Sequence, residues 1–180
     1  QYRFRVSLEN FGTSSPTTEL TKQVMDVTRP NVTFDQMTVD IYNSKVFLLG
    51  KHTWEPITIN FREDISNNVQ KLVGEQLQKQ FDFFEQSGAA SGSDYKFVTR
   101  IEILDGGNGA NAASVVDTFE LYGCYVENAN YNTLNYATSE PVTVTLSIRY
   151  DNAIQTPQGT GIGTAVGRTV NTAITGGGST

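Results

Sequence analysis

His52–Phe84, H-T-W-E-P-I-T-I-N-F-R-E-D-I-S-N-N-V-Q-K-L-V-G-E-Q-L-Q-K-Q-F-D-F-F, is where the sequence declares its fold. Ile57, Ile59 and Phe61 alternate with Thr58, Asn60 and Arg62, the two-residue period of a strand with one buried face. Val69, Leu72, Val73, Leu77, Phe81 and Phe84 then recur at helical spacing and form one apolar stripe. Asp64 and Ser66 stand where an N-cap belongs, Phe81, Phe83 and Phe84 give the helix a heavy apolar end, and Gly88 breaks it. Such a helix needs a surface to cover, and an antiparallel sheet is the natural one. It is the only strong helical signal in the chain.

Working outward, most of the remaining chain reads as strands. On the N-terminal side, Tyr2, Phe4, Val6 and Leu8 alternate with Arg3, Arg5, Ser7 and Glu9. A turn-rich loop at 12–18 leads to a short strand with Val24, Met25 and Val27, which Arg29-Pro30 ends. Met37, Val39 and Ile41 alternate, Asn43-Ser44 reads as a turn, and Gly50-Lys51-His52 as another. Between these turns, Val46-Phe47-Leu48-Leu49 is either core, the preferred reading, or a protruding apolar loop that wants a partner. On the C-terminal side, 88–94 is a connector, Phe97–Leu104 a strand, 105–114 a hairpin loop, and Phe119–Val126 the returning strand around Cys124. An Asn-rich excursion at 128–139 carries Tyr131 and Tyr136. Val142, Val144, Leu146, Ile148 and Tyr150 then give the clearest alternation of all, against Thr143, Thr145, Ser147 and Arg149. The tail 152–180 is Gly/Thr-rich with Arg168 its only charge, and Ile162, Val166, Val170 and Ile174 hint at a short helix. The expected organisation is a domain over 1–151 followed by an extension over 152–180.

With 180 residues, 38% hydrophobic and only 18% charged, the chain suits one mainly β domain whose sheets have an uncharged polar face. The net charge of −6 argues against a protein that grips nucleic acid by neutralising phosphates. One cysteine and one histidine allow neither an intramolecular disulfide nor a one-chain zinc site. No apolar run reads as a membrane span or secretory leader, and the start at Gln1 leaves room for N-terminal trimming. A soluble product that later joins an assembly is the expectation.

Nothing in the sequence assembles an active site, so no catalytic residue, cofactor or metal is expected. Glu63-Asp64 fits helix capping better than a carboxylate pair. His52 near Trp54 has no signalled nucleophile. The 106–111 glycines read as a hairpin loop, the 159–167 glycines lack the strand and the acidic residue of a dinucleotide site, and Asn31-Val32-Thr33 is a chance glycosylation match. Cys124 reads as a small buried hydrophobe. What remains is a set of strands with one apolar and one polar face, too many for one helix to cover. That suits an antiparallel sandwich, or a sheet that joins other copies around an aqueous lumen.

The order of these parts resembles the tail tube proteins of contractile-tailed bacteriophages. The resemblance rests on R-F-R-V-S-L, then V-M-D-V-T-R-P, a long hairpin, W-E-P-I-T-I-N-F-R-E-D with its helix, and the closing V-T-V-T-L-S-I-R-Y-D-N, spanning 2–152. It implies a mainly β, sandwich- or barrel-like subunit with one major helix, whose strands join those of its neighbours in a hexameric ring β-barrel. Such rings stack into the inner tube of the virion tail, assembled in the host cytoplasm, with sheath and baseplate as partners and viral DNA passing through without specific binding. Type VI secretion and phage-like bacteriocin tubes are related. On this footing Thr58, Asn60, Arg62, Thr143, Thr145 and Ser147 are candidates for the lumen wall, which the acidic balance of the chain would keep from trapping phosphates. Asn43, Ser44, Val46, Phe47, Leu48, Leu49, Lys51 and His52 are candidates for ring-to-ring contact. The long tail departs from the common tube subunit and leaves open a tube-initiating baseplate role. From another class, a soluble carbohydrate-binding sandwich could use Tyr131, Tyr136 and Trp54 as stacking platforms.

Overall fold

Strands 57–62 and 143–149 find each other across more than eighty residues of chain, and the sheet grows from that pair. In the computed structural model, which describes residues 3–13, 18–107, 109–137, 140–156 and 162, the strands and helices run in the following order. β1 (Arg3–Glu9), α1 (Thr18–Gln23) and β2 (Val24–Val27) come first. β3 (Asn31–Ile41), β4 (Ser44–Glu55), β5 (Ile57–Arg62) and α2 (Asn68–Gln80) follow. The short β6 (Phe81–Asp82) and β7 (Ser87–Gly88) precede β8 (Phe97–Leu104), β9 (Val115–Asn130), β10 (Thr143–Arg149) and β11 (Asn152–Gln155).

The main sheet has the order β1-β8-β9-β10-β5-β2, with β11 also paired to β9. It is antiparallel throughout. β9 is shared by two halves of the sheet. Its first part pairs with β8 and β11, and its last part, from Tyr125, with β10. The change of partner falls between Cys124 and Tyr125, next to Gly123, whose φ of 65° is the left-handed region that favours glycine. A Cβ there would collide with the Asp151 carboxylate. Asp151 lies on the connection from β10 to β11 and is held by Lys96 at 2.5 Å and by its own N–H to Tyr122 O at 3.0 Å. A bend at a residue without a side chain lets one strand serve both halves, as at the corners of orthogonally packed sheets.

The core fills the space between these halves and α2. Ile57, Ile59 and Phe61 of β5 and Val144, Leu146 and Ile148 of β10 are fully buried, as the alternation predicts. Val6, Leu8, Phe97, Ile101 and Leu121 line the other half, and Val69, Leu72 and Val73 cover them from the helix. α1 adds Leu20. This short helix is absent from the sequence reading, because T-E-L-T-K-Q carries a single apolar residue and no period.

Three local expectations are corrected. The cap of α2 is Asn67, at φ 55°, and neither Asp64 nor Ser66. Glu63 accepts from the Gln70 N–H inside the first turn at 3.2 Å, while Asp64 bonds to the adjacent Ile65 N–H. The helix stops at Gln80, so Phe81 and Phe84 do not belong to the buried stripe; the chain turns back in the small β6–β7 hairpin and leaves Phe84 exposed. Gln76 takes the place in the stripe that the phenylalanines were expected to extend. It is fully buried, with its amide receiving Gly12 N–H at 3.0 Å and donating to Tyr95 O at 2.8 Å. Buried amides persist where their hydrogen bonds are satisfied, and this one fastens the 10–13 loop and Tyr95 to the helix.

Gly50-Lys51-His52 is likewise no turn. β3 and β4 form one long hairpin that reverses at Tyr42-Asn43, with a bulge opposite Asp35. Gly50 is required there, since a Cβ would come within 2.7 Å of Asp35 O. The tail hint at Val166–Ile174 lies outside the described residues. The chain between 152 and 155 belongs to the sheet as β11, where Ala153 is buried.

Candidate functional site

Two surfaces answer to the residues singled out by sequence. The first is the outer face of β5 and β10. Register pairs Arg62 with Thr143, Asn60 with Thr145 and Thr58 with Ser147, so all six lie side by side on one face, opposite the buried apolar row. The side chains bond to one another. Thr145 Oγ1 donates to Asn60 Oδ1 at 2.6 Å, and Asn60 Nδ2 donates to Asp26 Oδ1 of β2 at 2.7 Å. Asn132, in the loop after β9, donates to Thr143 O at 3.0 Å and to Thr143 Oγ1 at 2.9 Å. The register also adds Asn128 and Asn130 of β9, opposite Ser147 and Thr145. The result is a polar sheet face four strands wide, with many of its donors and acceptors already spent on each other.

Asp26, Asn128, Asn130 and Asn132 escape the sequence reading, because nothing local says that β2 and β9 flank the β5–β10 pair. Arg149 was legible: it continues the Thr143-Thr145-Ser147 period by one step. Arg62, Arg149 and Asp26 are charged groups on this face. Glu127, exposed at the β9 bulge between Val126 and Asn128, adds a carboxylate beside it. On the other half of the sheet, Glu9 and Glu120 hold Arg100 at 2.8 and 3.1 Å and Glu102 pairs with Arg5.

The second surface is the β3–β4 hairpin. The preferred reading of Val46–Leu49 as core is overturned. Phe47 and Leu49 are 62% and 75% exposed, and Met37, Val39 and Ile41 on the facing strand are exposed too. Asn43, Ser44, Val46, Phe47, Leu48 and Leu49 thus sit at the tip and upper shaft, with Lys51 and His52 lower down. The base is anchored: Trp54 is buried, with its ring 5.7 Å from Tyr150 and 6.2 Å from His52. Asn31 and Thr33 both donate to the Glu55 carboxylate. A buried Trp54 cannot serve as a stacking platform for a sugar, although Tyr131 and Tyr136 are exposed.

Burial decides the titration of two core groups. It pushes the Cys124 thiol up to about 11 and the Tyr150 phenol up to about 12. Neither is poised for chemistry near neutrality. Among the described residues no group of three or more His, Cys, Asp and Glu side chains gathers around a common point, and no helix is long and apolar enough to cross a membrane.

By sequence the chain stands apart, with no family model and no curated protein matching it. Its fold does not. A chain in the cryo-EM structure of the anti-feeding prophage baseplate superposes with a TM-score of 0.62 over 87% of this chain and 93% of its own, at 11% identity. The tail-tube fold is present here. A chain from the sheath-tube complex of PVC, an extracellular contractile injection system in the extended state, gives a TM-score of 0.59 at 13% identity, covering 86% of this chain and 88% of its own. The crystal structure of an Hcp protein gives 0.51 at 10% identity, covering 89% and 94%. In the tail-tube fold, as here, a mainly antiparallel β framework carries one major helix.

Proposed function

We propose that this protein is a wall subunit of the inner tube of a contractile tail. Copies close into a hexameric ring by joining their sheets, the rings stack, and the Thr58–Asn60–Arg62 and Thr143–Thr145–Ser147 rows line the channel. The tube body is preferred to a tube-initiating baseplate position. In a virion tail, with sheath and baseplate as partners, the cargo is DNA on its way into the host. The extension beyond 162 has a role in assembly, while Thr156 still bonds to the chain's own sheet at Thr118 O.

One observation carries this reading: a single subunit buries one face of the β5–β10 sheet completely, yet sends out a long apolar hairpin that it does not cover itself. Exposed contiguous apolar surface on this scale marks an interface. The likeness to chains of contractile injection assemblies supports the same conclusion. The hydroxyls and amides of the polar face, bonded among themselves, offer a passing polymer few free partners, which suits a conduit better than a binding groove.

Electron microscopy of the purified protein tests the proposal. Rings or tubes of uniform bore, with Asn60 and Thr145 facing the bore at higher resolution, are expected. A monomer at all concentrations, or rings with Ile59 and Leu146 turned to the channel, would refute it. Removal of the chain beyond 162 with unchanged tube growth would exclude the assembly role of the extension.

A further inference from the structure

Among the exposed apolar surfaces of the described residues outside both the core and the long hairpin, two flank opposite edges of the polar-faced sheet. One edge is β2, the last strand in the sheet order. Beside it opens a cleft of about 520 Å³ between β1, α1 and β2, lined by Phe4, Val24, Met25 and Leu104, with Arg3 at its rim. Phe4 and Met25 are 41% and 51% exposed.

The other edge is β9 beyond Cys124. There β8 has ended, and β10 runs along one side only. Gln80 treats that edge as a strand would: Val126 N–H donates to Gln80 Oε1 at 2.8 Å, and Gln80 Nε2 donates to Val126 O at 2.9 Å. The next residues form an aromatic knob. Phe81 and Phe83 meet edge to face at 5.4 Å, Phe84 is 93% exposed, and Asp82 fixes the turn by accepting from the Phe84 and Glu85 N–H groups. Held in this way, the knob loses little freedom on docking.

A ring is built from heterologous contacts, in which a patch on one side of a subunit meets a different patch on the other side of the next. A cleft with Phe4, Val24, Met25 and Leu104 in its wall at one edge and a hydrogen-bonded aromatic knob at the opposite edge are such a pair. Their charges agree as well, with Arg3 at the cleft and Asp82 and Glu85 on the knob. We infer that the Phe81–Phe84 knob of one copy seats in the β1/β2 cleft of the next copy around the ring. The inference rests on the ring reading above and names the contact that closes it; the aromatic anchors, in place of the strand edges alone, set its strength.

The test compares wild-type protein with F83E/F84E and M25E in ring formation, by mass photometry and electron microscopy, with thermal melts of the monomer as control. Each variant is expected to keep the wild-type melt and to weaken ring formation roughly thirty-fold or more, the scale of losing an interface anchor. A second measurement uses disulfide trapping, which is clean because the native Cys124 is buried. Mixed F84C and M25C copies are expected to form cross-linked heterodimers in far higher yield than either variant alone. Normal rings from F83E/F84E, or no preference for the mixed pair, would overturn the knob-in-cleft contact and leave the ring reading standing. Wild-type protein that closes no ring would overturn both.

Discussion

The β3–β4 hairpin and the β5–β10 pair carry the same alternation of apolar and polar residues and meet opposite fates. In β5–β10 the apolar row disappears completely beneath α2 and the facing strands, whereas in β3–β4 it stands in solvent. Burying a large apolar side chain is worth about 1.5–3 kcal/mol, so a row left exposed forgoes a good deal of stabilisation within the monomer. A two-stranded hairpin is also marginal by itself. The arm persists because its base is tied to the core through Trp54 and Val32, while Glu55 locks its two strands together through Asn31 and Thr33. Alternation thus reports that a strand has a face to bury. It does not report whether the covering surface belongs to the same molecule.

Substitutions can break this contrast, and the largest effect belongs to the buried row. Leu146→Ala should cost about 2–5 kcal/mol in urea unfolding, since it removes a fully buried side chain from a packed sheet. A loss below 1 kcal/mol would mean that the β5–β10 face is not the sealed side.

Next comes alkaline pH, which acts on the core and spares the arm. Cys124 and Tyr150 have pKa values raised in the folded state, to about 11 and about 12, so the native chain holds protons that the unfolded chain releases. Their contribution is intact below pH 9 and declines as pH rises through 9–11 for the thiol and 10–12 for the phenol. Stability should fall by an amount of the order of 2 kcal/mol across the thiol window. In C124V the slope between pH 9 and 10 should flatten, as followed by urea titrations at fixed pH; an unchanged slope would remove the thiol from the account.

Asn60→Ala should cost about 1 kcal/mol, because it strips partners from Thr145 and Asp26 on a face that water can reach. The smallest change in monomer stability belongs to the arm. F47S/L49S should shift unfolding by no more than about 0.5 kcal/mol, the usual scale for exposed positions, while tube length in micrographs drops sharply. A large loss of monomer stability would place the arm in the core after all.

Much of the architecture is legible from local pattern. β5, β8, β10 and the first three turns of α2 follow from period alone, because each buries one face against a continuous core. What escapes does so for identifiable reasons. α1 is six residues long with one buried side chain, too little for a period to register. Gln76 and Gln80 look like solvent-facing helix residues, yet their amides satisfy buried backbone groups that only the tertiary structure brings near. Phe81, Phe83 and Phe84 read as the apolar end of a helix, because hydrophobicity alone does not say whether a side chain is covered within its own molecule. The six polar-row residues were found by alternation, and Asp26 and Asn132 were missed because cross-strand neighbours have no signature in the sequence that precedes them.

The shared strand β9, bent at Gly123, has a consequence for how the chain comes into being. β8 is already synthesised when β9 emerges, but β10 and β11 follow it, and β5 waits for β10 across the 81 residues between Arg62 and Val144. During that interval Ile57, Ile59 and Phe61 lack their permanent neighbour, and half of β9 presents an unpaired edge. Long-range pairing of this kind folds slowly and exposes sticky edges meanwhile. Until 143–155 reaches the sheet, a nascent chain therefore exposes an apolar row and a strand edge with which another chain can pair.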